Sequence, residues 1–149
     1  MRAFPTVAAA FVAALSGCAK APEAPEQTAA PVIERSVDAL RLYVMDCGRI
    51  DVSNMGVFDR GGAYEGQSRA MVDTCFLVRH PQGDLMWDAG LPDAIAAAPG
   101  GVVNEPFALK VPKPLKGQLE RIGAPPEAIE YFSVSHSHFD HVGNANLFK

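Results

Sequence analysis

The sequence has no cluster of Lys or Arg. Its 13 basic residues are scattered among 17 acidic ones, for a formal net charge of -4. Without a basic stripe the chain lacks the electrostatic footprint of a nucleic-acid binder, and no such partner is expected. It also lacks an apolar run of the roughly 20 residues that a membrane-spanning helix requires. The stretch from Ala3 to Leu15 is shorter and is interrupted by Pro5 and Thr6. No internal repeat is present. Histidine is scarce, at 4 residues, yet three of them fall in one short run, His136-Ser137-His138-Phe139-Asp140-His141. At 149 residues, 48% hydrophobic and 20% charged, the composition is that of an ordinary globular chain with one domain.

The first residues differ from the rest. Arg2, the apolar stretch and the small residues after it read as an export signal with a cleavage site. Leu15-Ser16-Gly17-Cys18 resembles the lipobox of bacterial lipoproteins. That resemblance implies a signal peptide over residues 1–17 and a lipidated Cys18, whose acyl chains would anchor the protein on the periplasmic side of a bacterial membrane. A plain secretory signal is the alternative. Residues 18–36 are rich in Ala, Pro, Glu and Gln, with Pro22, Pro25 and Pro31, and read as a disordered tether. A folded domain is expected from residue 37 onward.

Within that domain, Leu40 to Met45 reads as a strand ended by Asp46-Cys47-Gly48. Residues 49–70 form a long polar, glycine-containing segment of the kind that often serves as a binding loop, with Phe58 and Tyr64 the residues best suited to line a pocket. Met71 to His80 is a strand, Pro81-Gln82-Gly83-Asp84 a tight turn, and Leu85-Met86-Trp87 the returning strand of a hairpin. Pro92 opens a short helix through Ala98, and residues 102–114, with three prolines, read as irregular. Leu115, Leu119 and Ile122 mark one helical face, with Gly123 as the residue after its end. Pro125-Pro126-Glu127 starts another short helical turn. Tyr131 to Ser135 is a strand that delivers the histidine run at its C-terminal end. The whole suggests an α/β layered fold. Cys47 and Cys75 lie in apolar strand-like runs, which favours buried free thiols over a disulfide, although export would permit one.

Imidazole and carboxylate are the ligands that zinc-like cations prefer. Residues i and i+2 of an extended chain point the same way, so His136 and His138 can converge on one cation. A bend after Phe139 turns Asp140 and His141 towards a second. Two neighbouring cations can share a hydroxide that attacks a carbonyl. His80, beside Pro81, reads as a packing or surface residue rather than a ligand.

The run His136-Ser-His138-Phe-Asp140-His141-Val-Gly143-Asn resembles the HxHxDH motif of the metallo-β-lactamase superfamily, and Leu85-Met-Trp-Asp88-Ala-Gly90 its earlier strand-end Asp motif. The resemblance implies an αββα sandwich, of which residues 40–149 would be the N-terminal half. It implies a site for two zinc ions, with His136 and His138 at the first and Asp140 and His141 at the second. Asp88 would then be a supporting carboxylate that holds a ligand histidine. Leu42 to Gly48, Cys75 to Pro81 and Trp87 to Pro92 are similar to the N-acyl-homoserine lactonase-like branch. That implies a hydrolase in which a metal-held hydroxide opens a lactone and Asp140 passes a proton to the leaving alkoxide. The substrate would be a small molecule with a lactone, ester or amide carbonyl. Thioesterase or β-lactam hydrolase activity is the alternative within the superfamily. A non-catalytic zinc-binding lipoprotein is the alternative outside it, and a degraded gene product without function the blandest. The family pattern has three further ligands after this motif, so the 149-residue chain is expected to be truncated, inactive by itself and poorly folded.

Overall fold

The computed structural model describes residues 38–148. The proposed signal peptide, Cys18 and the tether lie outside the described residues. No helix among the described residues is long and apolar enough to cross a membrane.

Six strands form one mixed sheet in the order β4-β5-β1-β2-β3-β6. The strands are β1 (Arg41–Val52), β2 (Arg69–Arg79), β3 (Leu85–Trp87), β4 (Val102–Asn104), β5 (Phe107–Lys110) and β6 (Tyr131–Ser133). Helix α1 (Leu115–Arg121) follows β5, and the one-turn helix α2 (Phe139–Val142) follows β6. The β2–β3 hairpin forms as expected, antiparallel with Phe76 opposite Trp87. Helix α1 buries Leu115 and Leu119 and ends at Gly123, whose φ of 67° is the left-handed conformation that glycine adopts without penalty.

Three expectations need correction. The polar segment 49–70 is loop only between Val52 and Arg69, because β1 and β2 pair along their full length and carry both flanks into the sheet. Residues 102–110 are not irregular: β4 and β5 make a short antiparallel hairpin, and Pro106 sits in its turn after a cis peptide bond, where no ladder N–H is required. Cys47 and Cys75 are joined in a disulfide, with Cα atoms 5.9 Å apart. Cys75 pairs with Met45, and Cys47, two residues on, shares the buried face of Met45, so the two sulfurs meet diagonally across the β1–β2 ladder.

The two faces of the sheet differ. On one, Met45, Cys47, Cys75, Leu77 and Met86 pack against Leu115, Leu119, Ala124, Ile129 and Phe148 as the main core. On the other, the cross-strand rows Leu42–Val78–Leu85–Tyr131 and Val44–Phe76–Trp87 leave large apolar groups in the open, with Leu42 63% and Tyr131 60% exposed. The described residues thus form one sheet of the expected αββα sandwich with its covering layer, a partial version of that fold.

Candidate metal centre

Strand β6 runs parallel to β3, with Trp87 opposite Ser133, so both chains leave the sheet at the same edge. This places Asp88 beside Ser135. The Ser135 N–H donates to Asp88 Oδ1 at 2.7 Å, and the Asp88 N–H donates to the Ser133 carbonyl at 2.9 Å. Asp88 has a φ of 59°, a left-handed conformation that is uncommon outside glycine and costs roughly 1–2 kcal/mol. Gly90, with φ 62°, follows it, and a Cβ there would collide with Cys47 Cβ and Cys75 Sγ. The disulfide therefore lies directly beneath the loop that carries Asp88.

The Asp88–Leu91 loop is tied to the segment after the histidines. The Ala89 N–H donates to the His141 carbonyl at 2.7 Å, and the Gly143 N–H to the Gly90 carbonyl at 2.8 Å. Asn144, 5% exposed, donates from Nδ2 to the carbonyls of Ala89 and Leu91 at 2.8 and 2.7 Å and accepts from the Asp93 N–H at 2.8 Å. Asp93 in turn accepts from the first amides of α1, Leu115 and Lys116. Buried Asp73 accepts the Leu91 N–H at 2.9 Å. Burial pushes the Asp73 carboxyl up to about 6, reinforced by the charges of Asp140 and Asp88 and opposed by the Leu91 N–H and His141.

The histidines gather above this loop. The ring centroids of His136 and His138 are 4.4 Å apart, and those of His136 and His141 are 4.1 Å apart. The bend after His138 is α2 itself, opened by the His141 N–H donating to the His138 carbonyl. His141 Nδ1 stands 2.9 Å from Asp88 Oδ2, and its Nε2 is 3.6 Å from Asp140 Oδ2. Burial opposes ionisation of Asp88, but the N–H of Ser135, the ring of His141 and the hydroxyl of Ser135 outweigh it and hold the carboxyl below its usual range. The side chains as they stand do not converge three donors on a single point among the described residues. By type, three imidazoles and a carboxylate on one rim, backed by a buried carboxylate on Nδ1 of one ring, fit a zinc-like cation.

Of the residues expected from sequence, Asp88, His136 and His141 come together directly. Asp140 touches the group through His141, and His138 through His136. His80 lies apart, its Nδ1 accepting the Gln82 N–H in the β2–β3 turn. Phe58 stands at the start of an aromatic chain, 6.1 Å from Phe107, which is 5.9 Å from Phe139 inside the histidine motif. Tyr64 is half exposed in the same loop. Sequence reading missed Phe107, Asp73, Asn144 and the role of Ser135. Asn144 stood in the motif, but its three bonds depend on a loop more than fifty residues away.

The family model of the metallo-beta-lactamase superfamily matches residues 70–149, more than half of the chain. The chain belongs to the metallo-beta-lactamase superfamily. Its solved structural neighbours include a quorum-quenching N-acyl homoserine lactone hydrolase, with 25% identity and a TM-score of 0.59 over 72% of this chain and 42% of that one. Another is an N-acyl homoserine lactone hydrolase with the product N-hexanoyl-L-homoserine at its catalytic metal center, with 24% identity and a TM-score of 0.57 over 72% of this chain and 44% of that one. A probable metal-dependent hydrolase from Staphylococcus aureus matches at 16% identity and a TM-score of 0.51, over 70% and 40%. The likeness is one of fold, and it follows the lactonase-like branch. The chain spans less than half the length of these structures. No curated protein matches it.

Proposed function

We propose that this superfamily member serves as a metal-dependent lactonase, opening the ring of a small lactone of the N-acyl-homoserine type. The observation that carries the reading is the Asp88–His141 contact at the shared end of β3 and β6, with the rings of His136 and His138 gathered beside it. His136 and His138 would hold one divalent cation, zinc by donor type, and Asp140 and His141 a second. Such cations, when bound, supply Lewis acidity that lowers the pKa of water and stabilises a developing oxyanion. Asp88 keeps the His141 ring oriented. Asp140, partly exposed beside His141, would pass a proton taken from the attacking water on to the leaving alkoxide. The chain Phe58–Phe107–Phe139 gives an apolar wall beside the motif, which suits an acyl tail.

Four donors shared by two cations leave each short of the usual ligand number. We therefore also propose that residues 1–149 by themselves do not turn over substrate. Export to an oxidising compartment accords with the Cys47–Cys75 disulfide.

The test is a panel of N-acyl-homoserine lactones, thioesters and β-lactams, assayed with added zinc on the intact gene product and on the 149-residue chain. Lactone opening that chelation abolishes is expected from the intact product and none from the chain. Preference for thioester or β-lactam would replace the substrate assignment, and turnover by the chain would refute its inactivity.

A further inference from the structure

Ser135 is the residue immediately before the first motif histidine, and its hydroxyl meets three groups at once. Oγ lies 3.1 Å from His136 Nδ1, 3.1 Å from His141 Nδ1, and 3.1 and 3.2 Å from the two Asp88 oxygens. A serine hydroxyl has one proton to give and two lone pairs to accept with. Ionised Asp88 accepts only, so the hydroxyl proton goes to Asp88 and the lone pairs face the rings. A ring that meets Oγ through Nδ1 must then carry its proton on Nδ1 and leave Nε2 bare. For His141, Asp88 imposes the same choice directly at 2.9 Å. His136 packs against the His141 ring, but among the described hydrogen bonds it is linked to Asp88 only through Ser135.

We propose that Ser135 is a positioning residue that relays the Asp88 carboxylate to His136. One buried carboxylate thereby fixes the tautomer of two histidines, one by contact and one through the hydroxyl, and presents both Nε2 atoms as donors for a divalent cation. This rests on the metal-binding reading above, but the tautomers are measurable without metal. The device asks little of the fold: the Ser135 backbone N–H holds Asp88 independently of the side chain, so its removal leaves the loop in place.

The experiment is long-range proton–nitrogen NMR on the metal-free intact gene product. It is run at a pH about two units above the usual histidine value of ~6.5, at which an ordinary imidazole is neutral. Wild type, Ser135→Ala and Ser135→Thr are compared, together with zinc affinity by chelator competition. In wild type, His136 and His141 both carry the proton on Nδ1. In Ser135→Ala, His136 reverts to the tautomer mixture of an unrestrained ring while His141 stays on Nδ1, and zinc affinity falls about tenfold, the low end for a group supporting a ligand. Ser135→Thr restores both. The relay is overturned if His136 keeps its tautomer in Ser135→Ala, if His136 and His141 change together, or if Ser135→Thr behaves like Ser135→Ala. Correct tautomers with no zinc affinity in wild type would sink the metal reading and leave the relay standing.

Discussion

Asp88 and His138 belong to one site but stand in opposite surroundings. Asp88 is 4% exposed, its loop is fastened through Asn144, Asp73 and Gly143, and the disulfide lies beneath it. His138 lies in an exposed run whose rings touch mainly one another. The loop is a floor whose buried polar groups find partners within the fold. The run is a rim whose donors face solvent. A site built this way separates two demands: the floor supplies stability and orientation, and the rim supplies reactive groups free to meet a ligand. Changes to the floor should therefore appear in folding, and changes to the rim in binding.

The largest effect tests the rim. His136→Ala combined with His138→Ala should lower zinc affinity by more than the roughly 10–100-fold typical of supporting residues. The same change should alter unfolding free energy by only about 0.5 kcal/mol, as for other exposed substitutions. Chelator competition and urea denaturation give the two numbers, and a large loss of stability would break the distinction.

The next tests the floor. Asn144→Ala leaves the carbonyls of Ala89 and Leu91 and the Asp93 amide without their partner. At about 1–3 kcal/mol for each unsatisfied buried group, partly relieved by water, a loss of about 3 kcal/mol is expected in urea denaturation. A neutral outcome would mean that the clamp carries no load.

A third prediction concerns pH. The Asp73 carboxyl titrates near 6 in the fold, above its ordinary value of 3.8. Between these values the native state binds more protons than the unfolded chain, so this group's stabilising contribution is present at low pH and lost as pH rises through about 6. Asp73→Asn keeps an acceptor for the Leu91 N–H and does not ionise. Relative to wild type it should gain about 2 kcal/mol between pH 4 and pH 8, with one pKa unit worth about 1.4 kcal/mol. Denaturation curves at both pH values check this, and a pH-independent difference would contradict it.

The smallest effect is at the far end of the aromatic chain. Phe58, 57% exposed, touches Phe107 but not the histidines. Phe58→Ala should raise KM for long-acyl lactones a few-fold, since one partly buried apolar contact is worth about 1 kcal/mol, with kcat unchanged. Steady-state kinetics with short and long acyl chains would show it, and an equal effect on both would place the ring outside the substrate path.

What the sequence made legible were features with a local cause. The β2–β3 hairpin follows from a proline–glycine turn between apolar runs, α1 from its apolar spacing and Gly123, and the strand before the histidines from the run Tyr131 to Ser135, of which Tyr131–Ser133 pairs in the sheet. The β4–β5 hairpin was hidden because Pro106, which argues against a strand, lies in the turn between two. The disulfide was hidden because it depends on the register of β1 against β2, which sets Cys75 opposite Met45 and diagonal to Cys47 and has no local signal. At the site, residue types revealed the donors, while their support was invisible. Ser135 and Asn144 act on Asp88, Ala89 and Leu91 only once β6 lies parallel to β3, a pairing with no local signal.

The most direct measurement is elemental analysis of the dialysed intact gene product beside a variant with His136, His138 and His141 all replaced by alanine. Stoichiometric zinc in the first and none in the second, with both folded, is the predicted result. Equal metal content in the two, or none in either after incubation with zinc, would contradict the assignment of these side chains as a metal centre.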